Sequence, residues 1–144
     1  MSPKKLVLVV DDEPELREIL KEEFEYCGYS VIEAENGSKA AALLNQNNVD
    51  VVVSDIRMPG GSGLDLLAAI GAKEGSRPPV ILVSAFVDIN SSEAQQKGAF
   101  DLVSKPYDLN DVVALLEKAV VESERREKAR LGSQQNLEHS QLNS

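Results

Sequence analysis

The chain has 144 residues, enough for one domain and a short appendage, and its 42% hydrophobic but 4% aromatic content calls for an aliphatic core. A net charge of -9 argues against non-specific binding to nucleic acid or anionic membranes. The single cysteine excludes an intrachain disulfide, and no apolar run is long enough for a membrane span, so the chain is expected to be soluble and cytoplasmic.

Leu6 to Val10 is a valine-rich run that reads as a buried strand. It ends in Asp11-Asp12-Glu13-Pro14, where three acids meet a proline suited to the first turn of a helix. Leu16, Ile19, Leu20 and Phe24 recur at helical spacing, and Cys27 continues the stripe as a small buried hydrophobe before Gly28 stops the helix. Tyr29 to Ala34 reads as a second strand, with Asn36-Gly37 as a turn. Ser38 to Asn47 is an alanine-rich helix burying Ala41, Leu44 and Ala40.

Val49 to Ser54 reads as the central strand, and its four apolar or small residues Val51 to Ser54 run into Asp55 and then the flexible stretch Met58-Pro59-Gly60-Gly61-Ser62-Gly63. Such runs mark parallel strands covered on both faces, and open α/β sheets bind ligands outside the carboxyl ends of their strands. Leu64, Leu67, Ala68 and Ile70 form a helix that Gly71 interrupts, and residues 75–79 form a loop. Pro79 to Ser84 is the fourth strand. Residues 88–98 are polar and weakly periodic, with Ile89, Ala94 and Gly98 as markers of a poor helix. Phe100 to Val103 is a fifth strand, followed by Ser104-Lys105-Pro106-Tyr107. Asp108 caps a last helix with Asp111 in its first turn, and Val112, Val113, Leu116, Ala119 and Val120 form the buried stripe.

The order is βα repeated, with short links, which predicts a parallel sheet with helices on both faces in the doubly wound order 2-1-3-4-5. The folded domain is expected over residues 1–121. Residues 122–130 are a charged helical extension or linker, and 131–144 a polar disordered tail.

Singly, each acid is an ordinary loop residue. In this strand order the first and third strands are neighbours, so Asp11, Asp12 and Asp55 share one edge. Carboxylates held so close are costly unless a cation sits among them, and an all-oxygen site selects a hard divalent ion, most naturally Mg2+. Ser84 and Lys105 reach the same edge from the fourth and fifth strands, adding a hydroxyl and a positive charge. Together these make a site suited to a phosphoryl group. No glycine-rich phosphate loop follows the first strand, and the one histidine, His139, falls in the expected tail. A phosphoryl group accepted on a carboxylate therefore fits better than a held nucleotide.

These residues together resemble the receiver domain of bacterial two-component response regulators. The likeness rests on Asp11-Asp12, Asp55 with the Met58-Pro59 to Gly63 turn, Ser84-Ala85 and Lys105-Pro106, spanning about residues 4–121. The resemblance implies a flavodoxin-like receiver fold in which Asp55 accepts a phosphoryl group from a phosphohistidine of a sensor kinase or phosphotransfer protein. It implies Mg2+, with Mn2+ able to substitute, held by Asp11, Asp12, Asp55 and the backbone carbonyl of Arg57. Lys105 becomes the phosphate-sensing cation, Ser84 the switch hydroxyl, and Met58 and Ala85 backbone contacts of the phosphate site. The Lys105-Pro106 peptide is expected to be cis. Phe86 and Leu102 occupy modulating positions. Many receivers carry an aromatic where Leu102 stands, and Phe100, assigned the same side-chain parity, is the candidate to cover part of that role. A homodimer through the face of the fourth helix, fifth strand and fifth helix is a family expectation, without direct nucleic-acid contact or membrane insertion. The chain reads as a stand-alone regulator or as the receiver of a longer protein. Two other readings compete: a Mg2+-dependent phosphohydrolase or mutase using an aspartyl phosphate, and a phosphate-independent binding module. The first lacks a second acid-base group in Ile56-Arg57-Met58, and the second leaves the intact acids, serine and lysine without a purpose.

Overall fold

The computed structural model describes residues 4–75, 77–85 and 89–142, of which 133–142 by backbone alone. Among the described residues, strands β1 (Leu6–Val10), β2 (Ser30–Ala34), β3 (Val51–Asp55), β4 (Val80–Ser84) and β5 (Asp101–Ser104) alternate with helices α1 (Pro14–Tyr26), α2 (Gly37–Gln46), α3 (Gly63–Ala72), α4 (Ser91–Gln96) and α5 (Leu109–Leu142). All the strand pairings are parallel, in the order β2-β1-β3-β4-β5. This is the doubly wound, flavodoxin-like sheet expected from the alternation of apolar runs and helical stripes.

The two central strands β3 and β4 are buried at every residue, because helices cover both of their faces. Strand alternation splits the core. Leu8, Val10, Val52, Leu82 and Leu102 pack with Leu44, Leu66, Leu67 and Ile70 of α2 and α3. Val7, Val9, Val51, Val53, Ile81, Val83 and Val103 pack on the other face with Leu20, Phe24, Val112, Leu116 and Ala119 of α1 and α5. Aliphatic side chains fill both layers, with Phe24 the one aromatic among the fully buried residues.

The helix ends follow local chemistry. Pro14 opens α1, and the side chains of Asn36, Ser62 and Asn90 cap α2, α3 and α4. At α3, Ser62 and Asp65 complete a reciprocal capping box. Asp108 accepts from the Asn110 amide at 2.8 Å at the start of α5, as its position before the apolar stripe predicts.

Several expectations are corrected. Cys27 is exposed, because α1 ends at Tyr26 and Cys27 falls in the turn past its packed face. Ile19 is also exposed, since Leu20 and Phe24 alone fill the inward stripe. Asn36-Gly37 is not a free turn but the cap and first residue of α2. Gly71 does not break α3, which runs to Ala72. Phe100 precedes β5 and so escapes its alternation, packing on the α1–α5 side while Leu102 packs on the other. The tail expected from Leu131 is instead a continuation of α5 to Leu142. Gln, Glu and Leu in that stretch are good helix formers and no proline interrupts them, so the helix continues without a core stripe. Phe86 lies outside the described residues.

Candidate functional site

Strand register alone brings the acids together. Val10 pairs with Ser54, so Asp11, the next residue along, reaches the level of Asp55 on the neighbouring strand. Asp55 pairs with Val83 and Ser84 with Ser104, which sets Ser84 and Lys105 at the same carboxyl edge. The Lys105 amide then donates to the Ser84 carbonyl at 2.8 Å, tying the two loops at their roots.

Carboxylate oxygens of Asp11, Asp12 and Asp55 lie within 4.8 Å of one another. Asp11 and Asp55 are buried and Asp12 is exposed. Asp11 accepts from the Glu13 amide at 2.9 Å, which restrains its carboxylate. Its pKa is raised to about 6, mainly by burial and further by the Asp55 and Asp12 charges, against the pull of the Glu13 amide and Lys105. Three carboxylates gathered this closely fit a divalent cation: the donors are all oxygen, and their mutual repulsion is relieved by positive charge.

Lys105 Nζ donates to Asp55 Oδ2 at 2.9 Å. Burial works against the ammonium, but the hydrogen bond to Asp55 and the charges of Asp55, Asp11 and Glu13 together hold its pKa above the ordinary lysine value. It therefore stays cationic across the working range. The Ser84 hydroxyl is buried and donates to the Ala85 carbonyl at 2.6 Å. The Lys105–Pro106 peptide is cis. Arg57 has an exposed side chain, while Met58 is buried under the turn and Leu102 is buried in the α2–α3 layer.

The turn after Asp55 closes tightly on the strand it leaves. The Gly63 amide donates to the Ile56 carbonyl at 2.9 Å, and a Cβ on Gly63 would stand 2.3 Å from the Asp55 carbonyl oxygen. The same turn is fastened to α2, with the Gly37 amide donating to Gly61 and the Ser38 hydroxyl to Gly60. Gly63→Ala is expected to force the turn off the β3 end at a cost of about 3 kcal/mol, read as a lower denaturant midpoint. An unchanged midpoint would show that the turn yields freely.

Arg17 of α1 was not apparent as a contributor from sequence. Its Nη1 donates to the Asp11 carbonyl at 2.6 Å, and its Nε lies 3.3 Å from Glu33 of β2. It thus holds the backbone that presents the first acid. The only sequence signal is a cation placed little more than a helical turn after the acids.

The sequence matches the response regulator receiver domain over residues 7–117. The chain belongs to that family. It is 40% identical over 116 residues to the DNA-binding transcriptional regulator NtrC of Salmonella typhimurium, covering 80% of this chain and 24% of that protein. It is 37% identical over 115 residues to the regulatory protein AtoC of Escherichia coli, covering 79% of this chain and 25% of that one. The receiver therefore spans about a quarter of the length of these curated relatives. Among solved structures, a response regulator receiver protein from Pseudomonas putida superposes with a TM-score of 0.73 at 32% identity, over 82% of this chain and 99% of that one. NtrX from Brucella abortus gives 0.78 at 26% identity, over 88% of this chain and 29% of that one. As a receiver domain the chain serves phosphorylation-activated signalling in two-component systems. Among the described residues, no helix is long and apolar enough to cross a membrane.

Proposed function

We propose that Asp55 accepts a phosphoryl group from a phosphohistidine of a sensor kinase or histidine phosphotransfer protein. The observation that carries this reading is the 2.9 Å bond from Lys105 to Asp55 inside a cluster of three carboxylates. An Asp55 oxygen attacks phosphorus as the donor P–N bond breaks, and the released imidazole takes up a proton from solvent. Asp11, Asp12, Asp55 and the Arg57 carbonyl are the groups to hold Mg2+, with Mn2+ as a substitute. When bound, the cation supplies charge neutralisation to the phosphoryl oxygens. Lys105 neutralises a further oxygen, and the Met58 and Ala85 amides contact the group. The role is that of an acceptor rather than an enzyme acting on free phosphoesters: Ile56 is buried and Arg57 is a cation, so no second carboxylate follows Asp55 to act as acid or base.

The new anion adds about -1.5 to -2 charges, which is sufficient to draw the Ser84 hydroxyl away from the Ala85 carbonyl and toward phosphate. Moving Ser84 and Ala85 shifts the loop leading to α4, and Lys105 couples that loop to β5. Leu102 stands in this path as an aliphatic residue. The resulting surface change at α4, β5 and α5 favours a homodimer or a downstream partner. Leu16, Ile19, Pro106 and Leu109 form an apolar groove of about 540 Å3 beside Lys105, which gives the exposed Ile19 a use as part of the phosphodonor's footing. We assign residues 1–121 to the receiver, the bounds expected from the sequence, with α5 beyond Val121 as the connection to whatever the receiver controls.

Beryllofluoride tests the reading because it mimics an aspartyl phosphate. Addition with Mg2+ is expected to give protein-bound fluorine NMR signals, abolished by EDTA. Mass measurement on a sizing column reads any accompanying dimerisation. Failure to bind beryllofluoride in the presence of Mg2+ would overturn the assignment.

A further inference from the structure

At the opposite end of the sheet, where β4 begins, a cavity of about 480 Å3 opens between α3, α4 and the part of α5 that extends past the sheet. Leu67 and Ile70 supply an aliphatic wall. The rim carries Arg77, Lys97, Arg126 and Arg130, against Glu127 as the one carboxylate among its described lining residues. Such a concentration of positive charge stands out in a chain of net charge -9.

The guanidiniums are held in place. Arg77 Nε donates to the Lys73 carbonyl at 2.6 Å, and Arg126 Nη1 donates to the Arg77 carbonyl at 3.3 Å. Arg126 Nε also reaches Glu122 at 3.3 Å, and Arg130 pairs with Glu127 at 2.5 Å. Each contact uses only part of a five-donor fork. Among the described residues, no carboxylate lies within ion-pair distance of Arg77 or Lys97. The Lys97 backbone amide serves carbonyls at the end of α4, and the Arg77 side chain serves the Lys73 carbonyl past the end of α3. That duty does not account for Arg130, which stands one turn beyond Arg126 and lines the same recess.

We infer that this cavity binds a small polyphosphate anion with a ring or apolar portion, a nucleoside phosphate in class. Planar guanidinium forks match phosphate oxygens in pairs, the recess has the size of a small-ligand site, and the Leu67–Ile70 wall suits a ring. A ligand bridging Lys97 and Arg130 fastens α5 to the end of α4. Occupancy would thereby bias the elements that the Asp55 site also moves, at the opposite end of the sheet.

Calorimetric titration of the full chain in EDTA, with ATP, pyrophosphate and inorganic phosphate as separate titrants, tests this. Saturable one-to-one binding is expected, strongest for ATP and weakest for inorganic phosphate. The double variant Arg77→Gln, Lys97→Gln is expected to weaken ATP binding by roughly tenfold or more, the worth of a lost charge-assisted hydrogen bond. NMR of the unaltered protein provides a second reading that does not depend on the variants folding: ATP should shift the amides of Gly71, Gly75 and Gly98 and not those of Asp11 or Asp55. Absence of saturable binding, shifts confined to the acid cluster, or undiminished affinity in the double variant would overturn the inference. So would an acidic peptide that binds as tightly as ATP, because the recess would then be a protein contact.

Discussion

Asp55→Asn is expected to lose phosphoryl uptake completely while keeping the fold. The substitution removes the proposed oxygen nucleophile but retains a similar shape and one carbonyl oxygen that can still accept from Lys105. It also removes one of three negative charges gathered within 4.8 Å, so the melting temperature should stay level or rise. Incubation with acetyl phosphate and Mg2+, followed by phosphate-affinity gels and intact mass, reads uptake, and thermal unfolding reads the fold. Label that persists in the variant and maps to Asp11 or Asp12 would move the acceptor to another carboxylate of the cluster. Collapse of the fold would instead make the Lys105–Asp55 pair structural. The second outcome runs against the electrostatics, since Asp55 also carries an unfavourable interaction with Asp11.

The gathering of the candidate site's residues was legible in the sequence because a parallel sheet reduces three dimensions to a register. Apolar runs ending in Asp11, Asp55 and Ser84, together with Lys105, are sufficient to gather those groups once the strand order is known, and the order followed from alternating strands and helices. What escaped the sequence depends on where elements stop and how side chains turn. Phe100 was misassigned because parity holds only inside a strand and β5 begins one residue later. Cys27 was misassigned because a helical stripe carries no mark of the turn at which α1 leaves the core. Continuation of α5 to Leu142 is a balance of backbone propensities without an apolar stripe, so no periodicity announced it. Arg17 reaches the Asp11 carbonyl through side-chain packing between α1 and β2, a contact that spacing does not specify. Gly63 looked like one more flexible glycine in a turn, yet the restriction on it is the Asp55 carbonyl oxygen beside the position of its missing Cβ.

Asp11→Asn is expected to stabilise the metal-free protein at neutral pH while removing most of its Mg2+ affinity. The Asp11 pKa is raised from 3.8 to about 6, chiefly by burial and then by its acidic neighbours. Between those values the folded state holds a proton that the unfolded chain has released, so unfolding free energy falls as pH rises through this window. The full penalty, at most about 3 kcal/mol, is present above pH about 6 and absent below pH about 4. An amide at position 11 cannot ionise, so the variant should lose this slope and melt about 5 °C or more above the parent at pH 7. Mg2+ acts in the opposite direction. It requires the ionised carboxylate, so affinity in the parent should climb with pH up to about 6 and level off beyond it, and added Mg2+ should raise the parent's melting temperature. In the variant Mg2+ should change the melting temperature little at any pH. Melting curves between pH 4 and 8, with and without Mg2+, measure all of these effects together. A variant less stable than the parent at pH 7 would mean that the Asp11 contact with the Glu13 amide outweighs repulsion within the cluster. If stability rises but Mg2+ affinity is unaltered, the cation is held without Asp11. The expected pair of opposite changes would identify the acid cluster as a place where the fold gives up stability to keep a cation site.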